Sequence, residues 1–293
     1  MLEIEEILKK VKHLEIKSRK AVMEKLAGAY HSSFKGRGIE LLDVRQYQPG
    51  DDFRSIDWNV TARTGELHTK QYFEEREQTI VFAVDVSGSM NFGTKLRLKR
   101  ETIAEAVALL AFSASMNNDR VGLVLFSNEV ELYLPPKKKF EHILRLVREL
   151  LYFEPKGKMT DFEKSLSQIS RLFPRKISLF ICSDFLNLNS TKGLKILSKK
   201  NDLTIITVED EAETKLPKTG WMKFFDSESG KWGFVNASSP VVQKRFTTVR
   251  KTEAKNFDKQ LKTMDIKRIA LKTESDVLPL LERYFSERAA HLR

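Results

Sequence analysis

The chain has 293 residues, of which 41% are hydrophobic and 31% are charged, and this composition excludes a wholly disordered protein. No run of 18 consecutive apolar residues occurs, which excludes a membrane-spanning helix, and the single cysteine, Cys182, excludes an internal disulfide framework. The net charge of +11 is spread along the chain, so we interpret it as a solvated surface. A reducing, cytoplasmic location is the simplest expectation for such a chain.

The first 78 residues are predicted to form a helix followed by a small β-structure. Apolar side chains at spacings of three and four predict a helix over residues 3–27, and strands are predicted over 39–47 and 66–73. The segment between these two strands is rich in charges and turn-forming residues, including Pro49-Gly50. We therefore assign residues 1–78 to a first unit of the chain.

From residue 79 onward, short apolar runs alternate with longer amphipathic segments. Four of the runs lack the period-two alternation of a half-exposed strand, which is typical of strands buried on both faces of a mainly parallel sheet. These runs are TIVFAV (79–84), VGLVLF (121–126), ISLFIC (177–182) and LTIITV (203–208). A further run, VELYL at 130–134, alternates better and predicts an antiparallel edge strand.

Helices are predicted between these strands. Residues 97–116 are nearly all apolar after Ile103, which predicts a central, buried helix, and apolar stripes predict two amphipathic helices after it. These two helices cover 140–151 and 162–173, and the later elements are a helix over 240–263, a strand over 268–272 and a helix over 276–288. The alternation predicts a doubly wound α/β sheet flanked by helices, formed by residues 79–293.

A β-hairpin is predicted to interrupt this alternation at about residues 221–235. Its strands would be WMKFF (221–225) and KWGFV (231–235), joined by a turn at Asp226–Gly230. The hairpin is therefore an insertion into the α/β domain.

Polar side chains follow two of the buried strands and precede one helix. DVSGS (85–89) comes directly after the first run, a second carboxylate follows ISLFIC, and a threonine precedes the helix at 162–173. Ligands of open α/β sheets bind at the carboxyl ends of strands, and these oxygen donors suit Mg²⁺, with Mn²⁺ or Ca²⁺ as alternatives. The candidate metal ligands are Asp85, Ser87, Ser89, Thr160 and Asp184. Alternatively, the two serines are helix-start hydroxyls and the first aspartate is a capping acid.

These three loops together resemble the metal-ion-dependent adhesion site of a von Willebrand factor A domain. The resemblance covers about residues 79–210, and it implies that the same five side chains hold the ion in a fold of that type. Phe185 stands where that family usually has glycine, and Gly157-Lys158-Met159 replaces its usual glycine-rich approach to the threonine. With few carboxylates around it, such an ion is expected to accept one more from a partner.

The segment before the first buried strand resembles a second, more specific pattern. Residues 36–77, which we call the N-terminal cassette, resemble an uncharacterised prokaryotic family that joins such a cassette to a von Willebrand A-like domain. The matching positions are Arg45, Tyr47, Gly50, Asp51, Asp52, Arg54, Asp57, Trp58 and Arg63. The cassette is either a β-element fixed to the sheet domain by ion pairs, with Trp58 buried, or a docking face for a partner.

The resemblance implies a MoxR-type AAA+ ATPase as partner, because that family is usually associated with one. We expect a non-enzymatic interaction protein that helps to assemble or mature a complex and binds an acidic side chain of a protein client. No G-x-x-x-x-G-K-[ST] motif occurs, so the chain should not itself be an ATPase. The alternative is a Mg²⁺-dependent hydrolase acting on phosphate esters. Nucleic-acid binding by the basic C-terminal half is a further hypothesis, but we expect no specific binding, and membrane association should be at most peripheral.

Overall fold

Within its described ranges, the chain forms ten strands and ten α-helices. The computed structural model describes residues 2–33, 40–73, 77–95, 97–157, 160–186, 188, 190–217, 219–225 and 232–291. The turn expected at Asp226–Gly230 and the loop residues Lys158 and Met159 lie outside these ranges. The strands are β1 (Glu40–Gln46), β2 (His68–Phe73), β3 (Thr79–Asp85), β4 (Arg120–Phe126), β5 (Val130–Lys137), β6 (Ser178–Ser183), β7 (Asp202–Glu209), β8 (Trp221–Phe225), β9 (Trp232–Asn236) and β10 (Lys267–Lys272).

The helices are α1 (Leu2–Ala21), α2 (Ala27–Ser33), α3 (Trp58–Thr64), α4 (Lys99–Met116), α5 (Phe140–Tyr152), α6 (Phe162–Leu172), α7 (Lys192–Lys200), α8 (Glu211–Thr214), α9 (Pro240–Thr263) and α10 (Leu278–His291). Six of the helices correspond to those predicted from the sequence, whereas α2, α3, α7 and α8 were not predicted. Short 3₁₀ turns cover Phe53–Ser55 and Gly88–Asn91.

The central sheet has six strands in the order β10-β7-β6-β3-β4-β5. The first five pair in parallel, and β5 pairs antiparallel with β4 at one edge, as its alternating sequence predicts. The β8–β9 hairpin and the β1–β2 pair form separate two-stranded antiparallel sheets. The prediction of a mixed α/β fold with a mainly parallel sheet flanked by helices is therefore confirmed.

Strand β3 shows why the apolar runs do not alternate with polar residues. Ile80 and Phe82 point into a cluster formed with α4, α5 and α10, whereas Val81 and Ala83 point into a second cluster formed with α6, α7 and α9. Each of these four side chains is at most 1% exposed. Both faces of the strand are thus buried, which requires apolar residues at successive positions.

The N-terminal helix packs onto the sheet domain over its second half. It was predicted to end near Gly28, but a π-helical turn at Val22–Leu26 leads into α2, which continues to Ser33. Tyr30 is buried in the larger cluster, and its hydroxyl donates to Asp119 Oδ2 at 2.7 Å. The helix therefore contributes to the core around α4. The division of the chain at residue 78 stays a prediction.

In the N-terminal cassette, the side chain that was expected to be buried is exposed. Trp58 is 66% exposed, so the interpretation of a cassette held in place by a buried tryptophan is wrong. Trp58 is the first residue of helix α3, which was not predicted and which is capped by Asp57 at its start and by Gly65, with a φ of 78°, at its end. The alternative interpretation, a docking face, remains open.

We expect Tyr30→Phe to destabilise the whole chain by about 1–3 kcal/mol, because a buried carboxylate loses a donor. Asp119 would keep the backbone N–H of Gln78, which donates to Oδ1 at 2.8 Å. Urea denaturation followed by circular dichroism measures the change. Tyr133→Phe is the matched control, because Tyr133 is 37% exposed on the edge strand and should change little. A separate early transition of the N-terminal helix in the Tyr30→Phe variant would contradict the expected single transition.

Candidate metal centre

The five candidate metal ligands lie at one edge of the central sheet, in the loops after β3 and β6 and in the loop between α5 and α6. Strands β3 and β6 pair in parallel, so Asp85 at the end of β3 and Asp184 just after β6 lie at the same edge of the sheet. Thr160, in the loop between α5 and α6, reaches this edge and has its hydroxyl 3.3 Å from Asp85 Oδ2. The hydroxyls of Ser87 and Ser89 are 3.2 Å apart. The three loops are thus brought together around one carboxylate.

Asp85 is the buried centre of this group. It is 1% exposed and accepts hydrogen bonds from the backbone N–H of Ser87 at 2.9 Å and from Ser183 Oγ at 2.8 Å. Burial raises the pKa of Asp85 to about 6, and the nearby negative charge of Asp184 adds to the shift. A bound cation would reduce the repulsion between these two neighbouring carboxylates.

Helix capping accounts for the position of the Thr160 loop but not for the positions of the serine hydroxyls. Ser87 precedes the 3₁₀ turn at Gly88–Asn91, yet its side chain makes no capping hydrogen bond. The alternative of helix-start hydroxyls therefore lacks its expected contact at Ser87. Thr160 is positioned by its neighbour Asp161, whose side chain accepts from the backbone N–H of Lys164 and caps α6.

The loop that carries Thr160 needs glycine at only one described position. A Cβ on Gly157 would lie 2.6 Å from the Ser127 hydroxyl, so any larger residue would require a shift. The Glu131 carboxylate holds this loop by accepting the backbone N–H groups of Lys156 at 2.8 Å and Gly157 at 3.0 Å.

Asp184 is bound by a lysine that the sequence did not single out. The Lys99 ammonium lies 2.6 Å from Asp184 Oδ2 and 2.6 Å from Glu213 Oε1, and its side chain is fully buried. Burial lowers the pKa of Lys99, but the charges of Asp184 and Glu213 outweigh it, and the net pKa is raised. Lys99 is therefore an ammonium ion that neutralises part of the negative charge. In the sequence, Lys99 is one of several basic residues at the start of an apolar helix, and nothing there indicates that it binds Asp184.

Phe185 follows Asp184 in a backbone conformation that favours glycine. Its φ is 54°, which accounts for glycine at this position in the resembling family. The ring stacks on Phe162 at 5.4 Å between centroids and contacts Phe257 at 5.2 Å. Packing of this buried ring offsets the backbone strain and fixes the loop that carries Asp184.

A groove of about 640 Å³ begins at Asp184. It lies beside α8 and α9, and its lining includes Phe185, Glu213, Arg250 and Phe257. A partner that contacts the candidate metal centre would therefore meet an adjoining concave surface with both charges and apolar groups.

The donor set fits a hard divalent cation. Two carboxylates and three hydroxyls supply only oxygen, the ligand that Mg²⁺, Mn²⁺ and Ca²⁺ prefer. Over the described residues, no group of three or more His, Cys, Asp or Glu side chains is placed to hold a metal. The five-residue metal site stays a prediction.

Comparison with known proteins identifies the family. A family model described as "Protein of unknown function DUF58" matches residues 43–256, more than half of the chain. The chain belongs to the DUF58 family. This match confirms the resemblance to an uncharacterised family that includes the N-terminal cassette.

Two relatives show the range of similarity around this DUF58 chain. The uncharacterized protein Rv1480 of Mycobacterium tuberculosis is 28% identical over 276 residues, covering 91% of this chain and 86% of the relative. The magnesium-chelatase 67 kDa subunit of Heliobacterium mobile is 30% identical over 86 residues, covering 29% of this chain and 12% of that protein.

The expected cytoplasmic location is corrected by a similar solved structure. An aerotolerance-related membrane protein from Bacteroides fragilis is similar with a TM-score of 0.47 and 15% identity, covering 73% of this chain and 99% of that chain. Because that protein is described as a membrane protein, we withdraw the cytoplasmic assignment. In the part of the chain that the structure describes, no helix is both long and apolar enough to cross a bilayer.

We expect Lys99→Met to lower the free energy of unfolding by about 3–5 kcal/mol, because it leaves Asp184 and Glu213 buried without their cation. The matched control is Lys95→Met, since Lys95 also joins two carboxylates, Glu211 and Glu274, but lies exposed at the surface. Urea denaturation of both variants measures the difference. Equal effects of the two substitutions would contradict the importance of the buried lysine.

Removing the charge of Asp85 should change the pH dependence of stability in protein freed of divalent ions. The folded state binds this proton more tightly, because the pKa rises from 3.8 to about 6. The resulting stabilisation is complete below about pH 4 and is lost as the pH rises through about 6, by about 3 kcal/mol in total. Asp85→Asn should abolish this loss, so its stability relative to wild type should increase between about pH 4 and 6.

Unfolding free energies in EDTA, measured by urea denaturation at a series of pH values, provide the test. Parallel pH profiles for Asp85→Asn and the unmodified chain would show that the Asp85 carboxyl does not titrate in this range.

Proposed function

We propose that this chain is a non-enzymatic, metal-dependent protein-interaction module whose α/β domain is of the von Willebrand factor A type. Mg²⁺, or Mn²⁺ or Ca²⁺ in its place, would be held by Asp85, Ser87, Ser89, Thr160 and Asp184. The observation that carries the proposal is the convergence of two hydroxyl-bearing loops on the buried Asp85 carboxylate, beside a second carboxylate.

The bound ion would supply an attachment point for an acidic side chain of a protein client. A hard cation such as Mg²⁺ binds about six oxygen ligands. Two carboxylates and three neutral hydroxyls would leave a coordination position open for a further carboxylate. The adjoining groove at Asp184 would accept the client residues that flank the acidic side chain. Binding energy would then come from the ion and from the groove together.

A binding role rather than catalysis is favoured by the groups around Asp85. Its hydrogen-bond partners within the described residues are the hydroxyls of Ser183 and Thr160 and the backbone N–H of Ser87. None of these partners is a histidine, so general acid–base catalysis would have to use the Asp85 carboxyl itself, which we assign to the metal.

We propose a MoxR-type AAA+ ATPase as the partner, acting with this chain in the assembly or maturation of a protein complex. The resemblance of the N-terminal cassette implies that association. In support, one relative of the chain is named as a subunit of a magnesium chelatase, and is thus a component of an assembly.

The exposed aromatic side chains of the cassette offer a docking point for the ATPase. Phe53 is 69% exposed and Trp58 is 66% exposed, and the Arg54 guanidinium lies 5.8 Å from the Phe53 ring centre. Tryptophan and arginine are enriched among the residues that dominate binding energy in protein interfaces. The cassette and the metal centre would then bind different partners.

We expect Asp85→Ala to abolish Mg²⁺ binding while the fold is retained, and to lower client binding by at least about tenfold, because the ion loses its central ligand. Isothermal titration with Mg²⁺ and a pull-down from native lysate, with and without EDTA, measure the two effects. Glu141→Ala, which removes an exposed carboxylate on α5, is the control and should change neither.

Two outcomes would contradict the proposal. Client binding that survives both EDTA and Asp85→Ala would remove the metal from the interaction. Turnover of generic phosphoester substrates by the purified chain, abolished by Asp184→Ala, would favour a hydrolase instead.

The docking role of the cassette has a separate test. Trp58→Ala should weaken binding to the purified ATPase while Mg²⁺ binding is unchanged, because this ring lies in a different unit of the fold. Surface plasmon resonance with the immobilised ATPase measures the affinity, and the Glu141→Ala variant serves again as the control. Unchanged affinity of Trp58→Ala would assign the docking face elsewhere.

A further inference from the structure

The β8–β9 hairpin presents an aromatic face to solvent. Trp221 is 76% exposed, Phe234 is 70% exposed and Trp232 is 58% exposed. Lys223 lies directly opposite Phe234 in the antiparallel register, and alternation along each strand places all four side chains on the same face. The Lys223 ammonium lies 3.9 Å from the centre of the Trp232 ring. An ordinary surface hairpin would turn its apolar face towards the core instead.

The first turns of α9 carry a second exposed surface of mixed character. Val241 is 75% exposed and Val249 is 46% exposed, and they share one helix face with the exposed Lys244 and Arg245. The helix as a whole contains seven basic and two acidic residues, a net charge of +5. Exposed aliphatic groups next to cationic groups are typical of helices that lie at a membrane interface.

Hydrogen bonds hold these two surfaces next to each other. The Gln243 side-chain amide, in the first turn of α9, donates to the carbonyl of Ala237 at 2.7 Å and to that of Leu216 at 3.2 Å. At the base of the hairpin, the backbone N–H of Ala237 donates to the carbonyl of Gly220 at 2.8 Å. The hairpin is therefore fixed at its base to the helix.

We propose that the aromatic face of the hairpin and the first turns of α9 form a peripheral binding surface for anionic lipid membranes. Tryptophan and other amphipathic rings partition into the headgroup region of a bilayer. Lysine and arginine close to the surface are attracted by anionic headgroups, and the sign of the charge on α9 matches that attraction. This surface is separate from the candidate metal centre and does not depend on the proposed function.

The contacts of the hairpin favour a bilayer over nucleic acid or a protein. The Lys223 ammonium covers a face of the Trp232 ring on which a base would have to stack, and the exposed valines of α9 have no role in base stacking. Lysine is depleted from the core of protein interfaces, yet here it lies among the exposed rings. At a bilayer surface, rings and lysine both have favourable surroundings.

Co-sedimentation of the full chain with vesicles tests the proposal. We expect binding to phosphatidylcholine vesicles that contain phosphatidylglycerol, weakened by salt because the attraction is screened, with a blue shift of tryptophan fluorescence. The combined Trp221→Ser and Phe234→Ser variant should bind about tenfold more weakly. Ile196→Ser is the matched control, because that side chain is 61% exposed but lies on α7, and it should bind normally.

A charge variant makes the test independent of the hairpin's folding. Lys244→Glu with Arg245→Glu should remove the preference for phosphatidylglycerol, since both side chains are exposed and the helix should remain intact. Equal binding to vesicles with and without phosphatidylglycerol would overturn the proposal, as would an absence of binding. Binding of an RNA oligonucleotide without vesicle binding would overturn it in favour of nucleic acid. Self-association in solution that is lost in the Trp221→Ser and Phe234→Ser variant would assign the face to a second copy of the chain.

Discussion

The burial of both faces of the central sheet is the constraint on which the rest of the structure depends. Helices cover the sheet on each side. Successive side chains of β3 point to opposite faces of the sheet, and both sets are therefore excluded from solvent. Charged groups cannot lie along such strands without a large desolvation cost. They lie where the strands end, and the parallel pairing of β3 and β6 then places Asp85 and Asp184 at one edge.

Charge balance at that edge links distant parts of the chain. Two carboxylates, those of Asp184 and Glu213, contact one fully buried ammonium, that of Lys99, and the negative charge of Asp184 also acts on the Asp85 carboxyl. The group retains excess negative charge even with the lysine in place. A divalent cation in the proposed site would complete the neutralisation.

The sheet and its loops could be predicted from sequence, because their signals are local. Continuous apolar runs indicate two buried faces, and consecutive parallel strands bring the loops after them to one edge whatever the detailed packing. Lys99 could not be found in this way, since its partner Asp184 is 85 positions away and no periodicity connects them. The exposure of Trp58 was missed for a different reason: a large aromatic ring suggests burial, but the caps at Asp57 and Gly65 define a short helix that turns it outward.

The aromatic stack at Phe185 has a mechanical consequence. Its ring contacts Phe162 at the start of α6 and Phe257 within α9, so one side chain connects the loop after β6 to two helices on the same side of the sheet. Glycine at this position would relax the backbone but would remove both ring contacts, and the loop would keep the ion pair of Asp184 with Lys99. The phenylalanine instead joins the loop to α6 and α9, so a displacement of either helix should act directly on the residue next to Asp184.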